Sequence, residues 1–264
     1  IRKNEKDVIN LYNSLSPIMQ LATGGTMLNF GYWEKNTIDP ITAQENLCYY
    51  FGNLSELDNA KTVVDVGSGL SAPAIFWRKN YDHLKLFCIN INYAQLHFSG
   101  TQKNIEFVNS TSTKLPFSNN SVDRVLALES SQHFKPLKDF ISESRRILKS
   151  DGVFTLALPV TLHPSSLFKL GILKFTWSSE HYHLDHVKEL VKLGGFKIHD
   201  EQLIGNKVYA PLANYYVENR KELKKSILQK YPNYVEKILY KSILKMKKAS
   251  DQKIIDYVVL KCKF

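Results

Sequence analysis

Apolar positions along this chain follow two periods. Over 7–12 and 15–21, and again over 41–57, they recur at helical spacing, with Leu47, Tyr50, Phe51 and Leu54 on one face of the second stretch. Gly24-Gly25 separates the two helices. From Lys61 onward short β-branched and aliphatic runs alternate with helical stretches. Strands are expected over 62–66, 84–89, 105–108, 122–129, 153–158, 196–203 and 254–262, and helices over 72–80, 93–98, 137–149 and 185–193. Asp151-Gly152 is read as the stop of the third of these helices, and Gly194-Gly195 as the stop of the fourth. Pro159 is read as the end of the fifth strand, since proline cannot donate to a ladder. Strands alternating with helices predict an α/β fold: a parallel sheet made by right-handed crossovers, with helices on both faces. Near-continuous apolar strands such as Val63-Val64 fit a sheet covered on both sides.

Charge changes this picture in one place. The chain of 264 residues carries a formal +10, yet the stretch 217–253 alone holds eleven basic residues against four acidic ones, seven of the ten net charges. The body is therefore nearly neutral. In the basic stretch Val235, Ile238, Leu239, Ile243 and Met246 recur at helical spacing, and Lys237, Lys241, Lys245 and Lys248 form another stripe. This predicts a docked helix with a solvated lysine face; weak contact with a membrane surface, or attraction of an acidic acceptor, is the other use of such a stripe. Three scattered cysteines argue against a disulfide framework, and the first residues carry no signal-peptide apolar stretch, so a cytoplasmic setting is expected. No apolar run approaches the ~20 residues of a membrane span.

The candidate chemistry begins at the end of the first strand, in Asp65-Val66-Gly67-Ser68-Gly69-Leu70-Ser71. Open parallel sheets bind ligands beyond the carboxyl ends of their strands, and glycines there let backbone approach a ligand and turn into a helix N-terminus. A dinucleotide fingerprint would want a third glycine where Ala72 stands. The other pattern, an acid two residues before the first glycine, fits a methyl-donor cofactor, whose methionine amino group a carboxylate attracts where it would repel a pyrophosphate.

With the segments that follow, the chain resembles the class I S-adenosylmethionine-dependent methyltransferases, in the small-molecule branch that includes tocopherol, sarcosine/dimethylglycine and natural-product sugar methyltransferases. The resemblance covers about residues 28–204 and is carried by Leu28-Asn29-Phe30-Gly31-Tyr32-Trp33, by the glycine turn, by Cys88 to Leu96, by Leu115-Pro116-Phe117 to Val125, and by Arg146 to Gly152. It implies a Rossmann-like, seven-stranded, mostly parallel sheet with an antiparallel last strand. It also implies one domain, with a helical cap over 1–60, a cofactor-binding core over 61–204, a basic helical lid over 205–253 and a final strand over 254–264.

The resemblance also implies S-adenosyl-L-methionine as cofactor, S-adenosyl-L-homocysteine as its product, and a cofactor site drawn from Tyr32, Trp33, Asp65, Gly67, Ser68, Gly69, Asn90, Ile91, Gln95, Thr111, Ser112 and Glu129. Three positions depart from the family. Asn90 replaces the acid that accepts from the ribose hydroxyls, Thr111 or Ser112 stands nearest the acid that meets the adenine amino group, and Ser71 replaces the third glycine. His133 falls on the histidine that serves as general base in the natural-product enzymes. A base helps when the nucleophile arrives protonated, as a hydroxyl or an ammonium does. Leu158 stands where some relatives carry a carboxylate partner. His181, His183 and His186 lack the spacing of a metal site, so no metal is expected.

The function implied is methyl transfer to an N, O or C nucleophile of a small molecule. Apolar residues over 159–180 fit an acceptor with hydrophobic bulk. Two other readings stay open: a protein of this fold without transfer activity, motivated by the three departures, and an RNA methyltransferase, favoured by the charge and opposed by the lack of any RNA-binding motif.

Overall fold

The computed structural model describes residues 4–163, 165–177 and 180–264. In chain order it contains α1 (Glu5–Thr23), α2 (Pro40–Leu54), β1 (Thr62–Val66), α3 (Ala72–Asn80), β2 (Lys85–Asn90), α4 (Tyr93–Leu96), β3 (Ile105–Asn109), β4 (Val122–Leu128), α5 (Leu137–Ile147) and β5 (Leu148–Thr161). The short α6 (Ser166–Lys169) and α7 (Leu173–Thr176) follow, then α8 (Leu184–Leu193), β6 (Lys197–Leu203), α9 (Tyr209–Glu218), α10 (Arg220–Leu228), α11 (Asn233–Asp251) and β7 (Ile255–Lys263). The helix ends carry the expected chemistry. Asn4 and Asp7 cap α1 reciprocally, and Gly24 closes it at φ 77°; Asp39 caps α2 ahead of Pro40.

The seven strands form one sheet in the order β3-β2-β1-β4-β5-β7-β6. β1 to β5 pair in parallel, while β7 runs antiparallel to both β5 and β6. Side chains alternate between two cores, as the strand period demands. Val63, Leu86, Leu126, Tyr257 and Val259 pack under α2, α3, α9 and α11. Val64, Val125, Leu156, Leu158 and Val258 pack under α5 and α8. The order turns back between β1 and β4, which places a switch-point crevice beside the glycine turn.

The structure moves three of the expected features. The helix begun at Leu137 ends at Ile147, because Leu148 already pairs with Val122 at a bulge where β4 and β5 meet. The fifth strand does not stop at Leu158: Pro159 is in register with Tyr257 and the strand runs to Thr161. Pro159 shares the outward edge of Ala157, whose carbonyl accepts from Glu129 N, and of Thr161, whose N–H reaches Tyr182. β4 has ended by this level, so the donor that proline lacks would have had no ladder partner. In α11, Ile243 and Met246 are buried but Ile238 is exposed, and the buried face takes in Glu236 instead.

Candidate active site

Four loops at the carboxyl ends of β1, β2, β3 and β4 surround a cavity of about 370 Å³, and α1 closes it from above. Of the twelve expected cofactor residues, Gly67, Ser68, Gly69, Asn90, Ile91, Gln95, Ser112 and Glu129 line it, and His133 does too.

The turn after β1 owes its shape to backbone conformations that side chains resist. Gly67 and Gly69 have φ of 77° and 57°. A Cβ on Gly67 would stand 2.4 Å from that of Ser130, so only glycine fits. Its N–H and that of Ser68 both donate to the Ile89 carbonyl, at 2.7 and 3.1 Å, tying the turn to β2. Ser71, in place of the third glycine, still takes the left-handed conformation at φ 60°. The departure is thus one of residue type and leaves the turn unchanged.

Asp65 lies beneath this turn, outside the cavity wall, on the face of β1 that it shares with Val63. Burial pushes its carboxyl up to about 7. Its Oδ2 has no hydrogen-bond partner among the described residues. An orphaned, buried carboxyl oxygen below the cavity floor is what a cationic group bound above would satisfy.

Asn90 donates through Nδ2 to the Gly69 carbonyl and to Gln95 Oε1, both at 3.0 Å, and its Oδ1 accepts from Asn92 N at 3.0 Å. Both N–H groups are spent and one lone pair remains, so this amide has room for one hydroxyl where a carboxylate would accept two. Gln95 in turn donates to Ser16 Oγ, and Asn92 to Asn13 Oδ1, both on α1. Thr111 does not reach the wall; its hydroxyl donates to Glu5 of α1, and Ser110 and Ser112 line the cavity on either side of it.

Glu129, at the end of β4, is half-buried and sits at φ 51°. Its Oε1 accepts from Phe30 N at 2.9 Å and from the Tyr257 hydroxyl at 3.0 Å. Burial nevertheless pushes it up to about 8. Glu129 thereby fastens the 28–33 segment to the sheet. That segment brings Leu28 and Asn29 into the wall but turns the two expected aromatics away. Tyr32 stacks on Tyr50, ring centroids 5.0 Å apart, and Trp33 packs on Tyr215 and donates to the Phe30 carbonyl.

His133 closes the short turn after β4. Its Nε2 is 2.8 Å from the hydroxyl of Tyr12, and the rings meet edge to face. Reading the sequence missed Tyr12 and the other α1 residues of the wall, Asn4, Glu5, Val8 and Ile9. The available signal was that α1 has a polar stripe of Glu5, Tyr12, Asn13 and Ser16 where solvent alone would not require one. At the rim, Lys135 and Glu180 pair at 2.7 Å. His181 stacks on Trp177, His183 accepts from Asp185 N at the start of α8, and His186 lies beside Glu189; none of the three lines the cavity.

The strand order and the cavity at its switch point are those of a Rossmann-like fold that solved neighbours share. Residues 64–156 match the family model described as a methyltransferase domain. The chain is 26% identical over 144 residues to the erythromycin 3''-O-methyltransferase of Saccharopolyspora erythraea, a match covering 52% of this chain and 47% of that one. It is 29% identical over 156 residues to a sterol 24-C-methyltransferase of Gibberella zeae, covering 53% and 41%. The matches thus span about half the length of these curated relatives or less. Among solved structures, the mycolic acid cyclopropane synthase CmaA1, complexed with SAH and CTAB, superposes with a TM-score of 0.85 at 17% identity over 100% of this chain and 99% of that one. Residues 64–156 therefore match a methyltransferase domain, and the curated relatives that the chain resembles over about half its length are named as methyltransferases.

Proposed function

We propose that this protein transfers a methyl group from S-adenosylmethionine to an N, O or C nucleophile of a small molecule with apolar bulk. The observation that carries this reading is the placement of the Tyr12–His133 pair in the same cavity as the glycine turn. S-adenosylmethionine held there would supply a methyl group on a sulfonium whose departure leaves a neutral thioether.

The chain's own residues do the rest. The glycine turn and Asn90 hold one side of the cavity. Glu129 lines the cavity and the buried Asp65 stands behind its glycine turn, two acids that would welcome a positive charge. Val8, Ile9, Leu28 and Phe134 give apolar walls against which an acceptor loses water. Tyr12 orients the imidazole through Nε2, so an acceptor hydroxyl beside the phenol passes its proton to the Tyr12 oxygen as Tyr12 passes its own to His133 Nε2, while the acceptor oxygen becomes bonded to carbon; an ammonium loses its proton by the same route before its nitrogen attacks. Positioning of the nucleophile in line supplies the remainder of the acceleration. The lysines of α10 and α11 do not line the cavity, which favours a small acceptor over RNA. Buried, unbridged Cys48, Cys88 and Cys262 support a reducing, cytoplasmic setting.

The test is His133→Ala, assayed for S-adenosylhomocysteine formation against lipophilic alcohols and amines. Turnover is expected to fall by about 10²–10⁴ with cofactor affinity intact. Unchanged turnover would remove His133 as the base. Failure of the wild type to bind S-adenosylmethionine or S-adenosylhomocysteine in calorimetry at high micromolar concentration would remove the whole reading.

A further inference from the structure

The stretch from Gly152 to Ser179 contains no Asp or Glu. Within it, α6 and α7 turn Phe168 and Phe175 outward, 86% and 67% exposed. These short helices pack beside α11: Leu173, Ile243 and Met246 share a core, and Lys245 Cε lies next to Gly171. The solvent face of α11 carries Lys237, Lys241 and Lys248, flanked by exposed Tyr234, Ile238 and Leu244. Two acids belong to this helix. Glu236 is fully buried and gripped by Arg220 at 2.8 and 3.2 Å, and Asp251 is its last residue. Over most of its length, then, the face presents ammonium groups and apolar tips with no exposed carboxylate between them.

Single exposed hydrophobics are ordinary, but several on adjoining elements, ringed by charge of one sign, mark a place where something docks. We propose that the outer face of α6, α7 and α11 docks on an anionic lipid surface. Lysine stems lie along an interface while their ammonium groups meet lipid phosphates, and phenylalanine and isoleucine side chains enter the acyl boundary. Nucleic acid would use the same ammonium groups, but it offers nothing to the aliphatic side chains of Ile238 and Leu244. Lipid therefore accounts for both halves of the surface. None of these residues lines the catalytic cavity, so the inference stands independently of the methyl-transfer reading.

The experiment is flotation of the full chain with vesicles of phosphatidylglycerol and phosphatidylcholine, against vesicles of phosphatidylcholine alone. The wild type is expected to float with the mixed vesicles, to stay behind with the neutral ones, and to be released by high salt. Lys237→Glu/Lys241→Glu/Lys248→Glu is expected to weaken partitioning by about tenfold or more. Phe168→Ser/Phe175→Ser is expected to weaken it while leaving the salt dependence in place. Unchanged Tm and S-adenosylhomocysteine affinity in both variants would show an intact fold. The proposal is overturned if the wild type ignores the anionic vesicles at low salt, or if binding survives both sets of substitutions. It is equally overturned if the face binds single-stranded RNA with a steep salt dependence while vesicles are ignored.

Discussion

Gly67, in the turn after β1, and Glu236, in the basic insertion, are each held in place by their surroundings, but in different ways. At Gly67 the limit is steric: positive φ and the Cβ of Ser130 leave no room for a side chain. At Glu236 the limit is electrostatic: a carboxylate that is 0% exposed has one guanidinium to answer it, and that guanidinium also stacks 3.5 Å above the Tyr240 ring. The turn is defined by backbone shape, so a short motif announces it. The insertion is defined by one pairing and an amphipathic pattern, which many sequences would satisfy.

Substitutions can break or sharpen this contrast. Gly67→Ala is expected to have the largest effect, about 4 kcal/mol of lost stability from combined strain and overlap, together with loss of S-adenosylhomocysteine binding in calorimetry. Arg220→Ala leaves the Glu236 carboxylate buried and unpaired. It is expected to cost about 3 kcal/mol in chemical denaturation, with binding in the cavity retained in whatever fraction stays folded. Loss of binding in step with lost structure at both sites would erase the distinction.

A smaller effect belongs to Glu129. Folded, it holds its proton up to about 8, and Asp65 up to about 7, where their ordinary values are 4.5 and 3.8. Between those limits the folded chain binds more protons than the unfolded one, so this contribution to stability is fully present at acid pH and is lost as pH rises through the folded values. Glu129→Gln is expected to flatten the fall of Tm between about pH 5 and pH 8; an unchanged slope would place the titration elsewhere. Smallest of all, Lys237→Gln/Lys241→Gln/Lys248→Gln is expected to change stability in water by no more than about 0.5 kcal/mol, as measured by denaturant titration.

The sheet and the glycine turn were legible because alternating apolar periods and a strand–glycine–helix junction are local signals. The strands stand where the pattern put them, to within a residue or two at most ends. Pro159 misled because its compatibility with β5 depends on where a different strand, β4, stops. Tyr32 and Trp33 misled because two neighbouring residues, Leu28 and Asn29, take the wall once Glu129 has fixed Phe30. His133 is singled out by the family resemblance of the stretch that closes β4. Its neighbour Tyr12 is 121 residues away in the chain, and no local pattern connects them. Ser71 shows the converse: a departure in sequence that the backbone ignores.

The strand order has a consequence for how the molecule is made. β7 lies between β5 and β6, and among the described residues β6 pairs with no other strand. Until residues 255–263 have left the ribosome, β6 has no partner, and the edge of β5 that β7 will cover is bare. Tyr257, which holds Glu129 and through it the 28–33 segment, arrives in the same stretch. The amino-terminal wall of the cavity is therefore secured by residues synthesised long after it. A chain stalled before them would expose apolar strand edges and lack a finished site, so it is a natural client for chaperones.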